Sequence, residues 1–338
     1  MSIYSDFVRE FNAKIESICT EFVDDSDSEL KEMYLYSVMS GRKYRPTLVL
    51  TGKLIGDTGY DENTLRLAVA VELIHKYSLI LDDSVDNDPL RRGETTYYHK
   101  YGRDNAQAMS AYLMNLLYKE LRSISRIYRN DKRADSILSF YEEILSDMAV
   151  GFISDLNKKS RDVRGIRRIS DMQTTTLLRN SMLIGFVCSD YYEKHENGYL
   201  LTVLEKLGNC MGTVFQAYND IEVFCGHEFQ QANKGHLFPD FFDNRKNIVL
   251  AKVPIKIFSS RDTNELISYI NKNKLFEEVF NEVFDVLKDI RQCIIKLPDR
   301  STGRRFLMSF LEEKEESIFN LSRADIFNFN DINSISAI

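Results

Sequence analysis

Asp82 and Asp86 carry the clearest chemistry in this chain. They lie four residues apart at the end of the apolar run Leu67 to Leu81, so a helix projects both from one face. Their like charges repel, and the helix dipole is negative at that end, so the pair is unfavourable until a cation arrives. Carboxylates so placed suit Mg²⁺, which takes one or two protein carboxylates and fills its shell with water and phosphate oxygens. Asp83, between them, is a further candidate ligand; a solvated acidic turn is the alternative. Arg91 and Arg92 follow, and paired guanidiniums beside a metal site offer fixed forks to a phosphate group. Weak surface ion pairs with the aspartates are the bland alternative, and would leave Gly93 unexplained.

A second basic cluster, Gly41-Arg42-Lys43-Tyr44-Arg45-Pro46, falls in a predicted break before a helix, where an anion can bind; by itself it reads equally as a surface loop. His75 lies seven residues before Asp82, about two turns back on the same face. A satisfied core histidine is the alternative there.

The elements that position these groups must be helical. Five prolines and fifteen glycines are few for 338 residues, and apolar residues recur at helical spacing over 62–87, 131–158, 197–224 and 274–297. The predicted class is all-α, with ten or so helices in a single domain over 1–338. Breaks are predicted near 24–28, Pro46, 56–61, 89–96, 161–169, 193–198, 225–247 and 297–303. The polar stretch from Gly226 to Asn247 is too long for a bundle turn and reads as a functional flap, with a mobile loop as the alternative. The Asn/Ser/Ile-rich tail, within 322–338, is expected to be poorly ordered unless it docks on a partner subunit.

With 43% hydrophobic and 28% charged residues the chain is globular rather than disordered. A net charge of −7 supplies no basic field for nucleic acid or anionic lipid, so an anionic ligand needs a local cluster. Five scattered cysteines without metal spacing read as reduced thiols in a cytoplasmic protein. No targeting peptide or integral membrane segment is visible.

Taken in order, these motifs resemble the trans-isoprenyl diphosphate synthase family. The match runs through Gly41, Arg42, Arg45 and Pro46, His75, the DDxxD and RRG from Asp82 to Gly93, then Gly212, Phe215 and Gln216, to the region of Asp240 and Arg245. The resemblance implies the isoprenoid synthase fold, a helical bundle around a deep cavity, usually a homodimer. It implies head-to-tail condensation of isopentenyl diphosphate with an allylic prenyl diphosphate, using two or three Mg²⁺. By the same resemblance Asp82 and Asp86 bind Mg²⁺ bridging the allylic diphosphate, which Arg91 contacts, while Arg42, Arg45, His75 and Arg92 hold isopentenyl diphosphate. Metals and guanidiniums would neutralise the departing diphosphate, and an apolar cavity would keep water off the carbocation.

The sequence departs from the family on the allylic side. The second aspartate-rich motif reads Phe215, Gln216, Ala217, Tyr218, Asn219, Asp220, Ile221, Glu222, Val223, so Asn219 and Asp220 remain as metal candidates, and Glu222 is expected on a different face from Asn219. Gln173 replaces the Lys of the family's Lys-Thr pair, with Thr174 as the Thr, and Phe152 replaces a Gln. Arg245, or its neighbour Lys246, keeps a charge where the family has Lys. Three readings follow: a short-chain synthase with a modified allylic site, a class I terpene cyclase derived from one, and a non-catalytic subunit regulating an active synthase. Tyr77 and Ser78, five and four residues before Asp82, are candidates for limiting chain length, with Tyr77 either across the cavity floor or an ordinary packed core residue. An aromatic there resembles the pattern of fifteen- or twenty-carbon products, farnesyl or geranylgeranyl diphosphate.

Overall fold

The helix that carries the aspartates, Glu62–Asp86, is bounded by local signals at both ends. Asp61 caps its start by accepting from the Thr64 amide, and Asn87 ends it in a left-handed conformation, φ 58°. In this computed structural model, residues 3–23, 27–128, 132–157, 162–195, 198–235, 237–243 and 245–328 are described. In chain order the helices are α1 (Ile3–Thr20), α2 (Ser28–Met39), α3 (Tyr44–Gly56), α4 (Glu62–Asp86), α5 (Tyr97–Tyr101), α6 (Arg103–Ile127), α7 (Arg133–Leu156) and α8 (Val163–Ser170). A π-helical turn (Asp171–Thr175) leads into α9 (Thr176–Val187), followed by α10 (Asp190–His195), α11 (Gly198–Glu222), α12 (His227–Lys234) and α13 (Pro239–Phe242). The last four are α14 (Ile255–Ser260), α15 (Thr263–Lys272), α16 (Leu275–Ile295) and α17 (Thr302–Arg323). The described strands are β1 (Leu90–Arg91) and β2 (Glu94–Thr95), which pair antiparallel.

The all-α expectation holds, and α4, α7, α11 and α16 fall on the four periodic segments. Seventeen described α-helices exceed the expected ten because pieces such as α10, α12, α13 and α14 are too short to show a period in sequence. Two predicted breaks move. Pro46 lies inside the first turn of α3, where its missing N–H costs nothing, so the break falls at 40–43 instead. The arginine-rich stretch around 161–169 is largely α8, capped by Asp162 and burying Ile166 and Ile169. At the C-terminus α17 continues to Arg323, Ile326 is buried, and Phe327 packs edge-on to Phe224. Residues 329–338 of the expected tail lie outside the described residues.

Helix α3 is buried from Pro46 to Ile55 and forms the centre of the bundle. On one side α4, α6 and α7 build a core around Leu67, Val71, Leu113 and Ile144; on the other α11, α16 and α17 build one around Leu207, Phe280 and Phe306. α3 crosses α9 at backbone contact. A Cβ on Gly185 would overlap the Val49 carbonyl oxygen, and one on Gly52 the Met182 carbonyl oxygen. Gly185→Ala must therefore displace backbone, and it is expected to lower unfolding free energy by about 3 kcal/mol, the upper range for overpacking. Urea denaturation reads this directly. No described helix is long and apolar enough to cross a membrane.

Candidate active site

The helices leave a cavity of about 2540 Å³ between them, and both basic clusters and the aspartate-rich turn line it. Asp82 and Asp86 sit in the last turn of α4 with side chains 43% and 30% exposed, while Asp83 is buried. Each is paired with arginine. The Arg91 guanidinium donates to Asp83 Oδ1 at 2.7 Å through Nε and to Asp82 Oδ2 at 2.8 Å. Arg245 lies 3.2 Å from Asp86 Oδ2 and 2.6 Å from Asp88 Oδ1. Burial, with Asp82 as neighbour, pushes the Asp86 carboxyl up to about 7. Asp88 goes the other way: against the cost of burial, Arg245 and Lys234 hold it down at about 2.

Gly93 now has a reason. The two-residue turn between β1 and β2 is Arg92-Gly93, both at positive φ (54° and 79°), the geometry that matches strand twist in a tight hairpin. The hairpin holds Arg91 at the aspartates and Arg92 near Glu222. The predicted flap covers this turn: the Gly93 amide donates to the Asn233 carbonyl at 3.3 Å, and Lys234 Nζ donates to Asp88 Oδ2 at 2.8 Å.

Across the cavity lies the second cluster. Arg42 lines the cavity, and Arg45, on α3, approaches His75 on α4 with Nη1 2.9 Å from Nε2. A guanidinium only donates, so His75 Nε2 accepts and the ring is neutral with its proton on Nδ1. Burial and the charge of Arg45 both hold His75 well below its usual value of 6.5. The unfolded chain therefore takes up a proton below pH 6.5 that the folded chain refuses. Stability contributed by neutral His75 is intact above pH 6.5 and is lost as pH falls beneath it, by up to about 1.4 kcal/mol per pH unit. His75→Gln is expected to flatten this slope in denaturation curves recorded between pH 5 and 7.

The second aspartate-rich motif also lines the cavity. Asp220 is buried with both oxygens engaged: Gln216 Nε2 donates to Oδ1 and the Ile248 amide to Oδ2, each at 2.7 Å. It braces the segment after the flap and also lines the cavity. Asn219 is exposed to the cavity. Glu222, expected on another face, also lines the cavity, where Asn233 Nδ2 donates to it at 3.0 Å. Gln173 and Thr174 line the cavity from the π-helical turn, and Thr174 Oγ1 faces Gln216 Oε1 at 3.4 Å. Phe152 lines it as well, and Lys246 is drawn to Asp155 on α7 at 2.6 Å. Ser78 is among the lining residues, but Tyr77 is not; its ring packs against the α4–α6–α7 core rather than across the floor.

Sequence reasoning missed Lys234 as an anion ligand candidate and Asp88 as its partner. The signal was faint: a Lys-Gly pair ending a short helix, where Gly235 takes φ 82° as the left-handed cap.

The donor set fits Mg²⁺ on the α4 side. Asp82 and Asp86 are hard oxygen donors open to the cavity, and two carboxylates fill only part of an octahedral shell. That leaves positions for water and phosphate oxygens, as Mg²⁺ prefers.

Comparison with known proteins agrees with this geometry. The polyprenyl synthetase family model matches residues 27–287. Farnesyl diphosphate synthase of Buchnera aphidicola is 27% identical over 319 residues, covering 90% of this chain and 98% of its own. A short chain isoprenyl diphosphate synthase of Methanocaldococcus jannaschii is 25% identical over 286 residues, 83% of each chain. The fold matches a polyprenyl synthase of Caulobacter crescentus, crystallised with calcium and isoprenyl diphosphate, with a TM-score of 0.75 at 17% identity over 95% of this chain and 98% of that one. The chain belongs to the polyprenyl synthetase family and is a prenyltransferase.

Proposed function

We propose that this chain is a short-chain prenyl diphosphate synthase that condenses isopentenyl diphosphate with an allylic diphosphate. The observation that carries the reading is the presence of two separate cationic sites in one cavity. Arg42, Arg45 and Arg92 face the acceptor side, and Arg91, Lys234 and Arg245 surround the aspartates. One diphosphate needs one such site; two sites take a donor and an acceptor.

Asp82 and Asp86 would hold Mg²⁺, and bound Mg²⁺ supplies the charge neutralisation that lets the allylic diphosphate leave. The protein's own cations share that work. Arg91 and Arg245 rest on carboxylates and can turn from them to the diphosphate, so the ligand meets oriented forks rather than water. Met148, Phe152 and Leu250 line the cavity with apolar surface that keeps water from the allylic cation. The double bond of isopentenyl diphosphate then attacks C1 of that cation, and the proton lost from the adjacent carbon goes to the released diphosphate, so no side-chain base is required.

We place the product at fifteen or twenty carbons, in keeping with the farnesyl diphosphate synthase named among its relatives. The protomers pair through α6 and α7, which expose Tyr118, Val150, Ile153 and Leu156. A cyclase reading draws on one observation, an amide at Asn219 where the family has a carboxylate. The test incubates protein and Mg²⁺ with dimethylallyl, geranyl or farnesyl diphosphate and isopentenyl diphosphate, and analyses products with and without phosphatase. Longer prenyl alcohols seen only after phosphatase support the synthase. Hydrocarbons released from an allylic diphosphate alone support the cyclase, and no product in any mixture points to a subunit that needs an active partner.

A further inference from the structure

Beneath the loop that carries Arg42 lies a buried group of three charges that the chemistry above does not use. Lys43, Glu72 and Lys76 have side chains 0%, 2% and 5% exposed, and each ammonium lies 3.6 Å from Glu72 Oε1. Both lysines are directed at backbone. Helix α2 ends at Met39, and its last carbonyls have no partner within the helix. Lys43 Nζ donates to the carbonyls of Val38, Met39 and Ser40 at 2.5, 2.9 and 2.6 Å, which uses all three of its hydrogens. Lys76 Nζ reaches the same point from α4 and donates to Ser40 O at 2.6 Å and Ser40 Oγ at 3.1 Å.

The loop held this way is conformationally demanding. Gly41 has φ 80°, and Lys43, which carries a Cβ, has φ 51°. A residue with a side chain keeps the left-handed conformation only where its surroundings over-determine it. Here the ammonium of Lys43 is tied to the end of α2 while its backbone begins α3, so the turn cannot relax without breaking buried charge-assisted bonds. Lys76 closes the bracket from below, with Nζ 3.5 Å from where a Gly41 Cβ would stand. Two cations against one carboxylate leave a surplus positive charge under the loop. That surplus is unfavourable in a dry site by itself and is offset when an anion binds above it.

We propose that Lys43, Glu72 and Lys76 are positioning residues that fix the Gly41–Arg42 loop to receive the diphosphate of the acceptor substrate. This assignment rests on the acceptor side being an isopentenyl diphosphate subsite. Lys76 is the member best suited to test. Its removal leaves Lys43 and Glu72 as a neutral pair, with the end of α2 still capped.

The experiment compares wild type with Lys76→Met and Lys76→Gln, two variants so that a folding failure in one leaves the other. Binding of isopentenyl diphosphate is measured by calorimetry, and hydrogen exchange is followed at the amides of residues 38–43 in the ligand-free protein. The expected result is affinity at least tenfold weaker and faster exchange at 38–43, with the calorimetric affinity for the allylic diphosphate within twofold. Lys76→Arg, which keeps charge and donors, should restore most of the affinity. Unchanged affinity, or unchanged exchange at 38–43, overturns the proposal. A uniform loss of both substrates' binding also overturns it, since a merely structural lysine would do that. Neither readout requires turnover: a wild-type protein that binds isopentenyl diphosphate but never condenses it would overturn the synthase reading and leave the bracket standing.

Discussion

Replacing Asp82 with alanine is expected to lower turnover by on the order of 10³-fold while leaving the affinity for isopentenyl diphosphate within about twofold. The size follows from the charge that the step must stabilise. Breaking the allylic C–O bond puts full charge on the departing diphosphate, and removing one preorganised element of such a site commonly costs 10² to 10³ in rate. Asp82 contributes twice: as an open oxygen donor at the cavity and as one of the carboxylates against which Arg91 is oriented. Its loss weakens the metal site and frees Arg91 to pair with Asp83 alone. The check is steady-state kinetics with titrated Mg²⁺, with isopentenyl diphosphate binding measured separately. The acceptor side should not notice, because its cations belong to α3, to the 40–43 loop and to the hairpin turn.

Arg42→Ala is expected to do the reverse. Arg42 lines the cavity beyond the end of α2, where it and Arg92 share Glu222 as a counter-charge. A charge-assisted contact to diphosphate contributes about 1.5–3 kcal/mol, which converts to roughly a ten- to hundredfold rise in KM for isopentenyl diphosphate. Ionisation of the allylic diphosphate should stay within about twofold. An unchanged KM for isopentenyl diphosphate in Arg42→Ala would show that the acceptor lies elsewhere. The two variants together separate the halves of the cavity: one loses chemistry and keeps the acceptor, the other loses the acceptor and keeps ionisation.

Much of this was legible in the sequence where local physics governs. The i, i+4 spacing of Asp82 and Asp86 and the long apolar period of α4 left little choice about their shared face. The left-handed Asn87 that ends the helix directly after them is a local signal of the same kind. The 226–247 stretch was readable as more than a bundle turn from its length and polarity, though not as the short helices α12 and α13, which are held by capping and tertiary contact rather than by a period.

What the sequence hid was the direction of side chains set by tertiary partners. Nothing near Asp220 in sequence announces that the Ile248 amide and Gln216 donate to its two oxygens. Glu222 was expected on another face, but it lies three residues after Asn219 and i, i+3 side chains share a helical face, so both reach the cavity. Spacing to Asp82 left Tyr77 between the cavity floor and the core, and the structure turns it to the neighbouring core and leaves Ser78 at the wall. Lys234 sits 146 residues from Asp88 in sequence, and no local pattern announces such a pair.

The most direct test of a two-diphosphate cavity is the rate of diphosphate release from farnesyl or geranyl diphosphate with Mg²⁺, measured with and without isopentenyl diphosphate. The account predicts slow release alone, at least a tenfold rise when isopentenyl diphosphate is added, and one new carbon–carbon bond for each diphosphate released. Release that is equally fast without isopentenyl diphosphate, with hydrocarbon or alcohol as product, would contradict it.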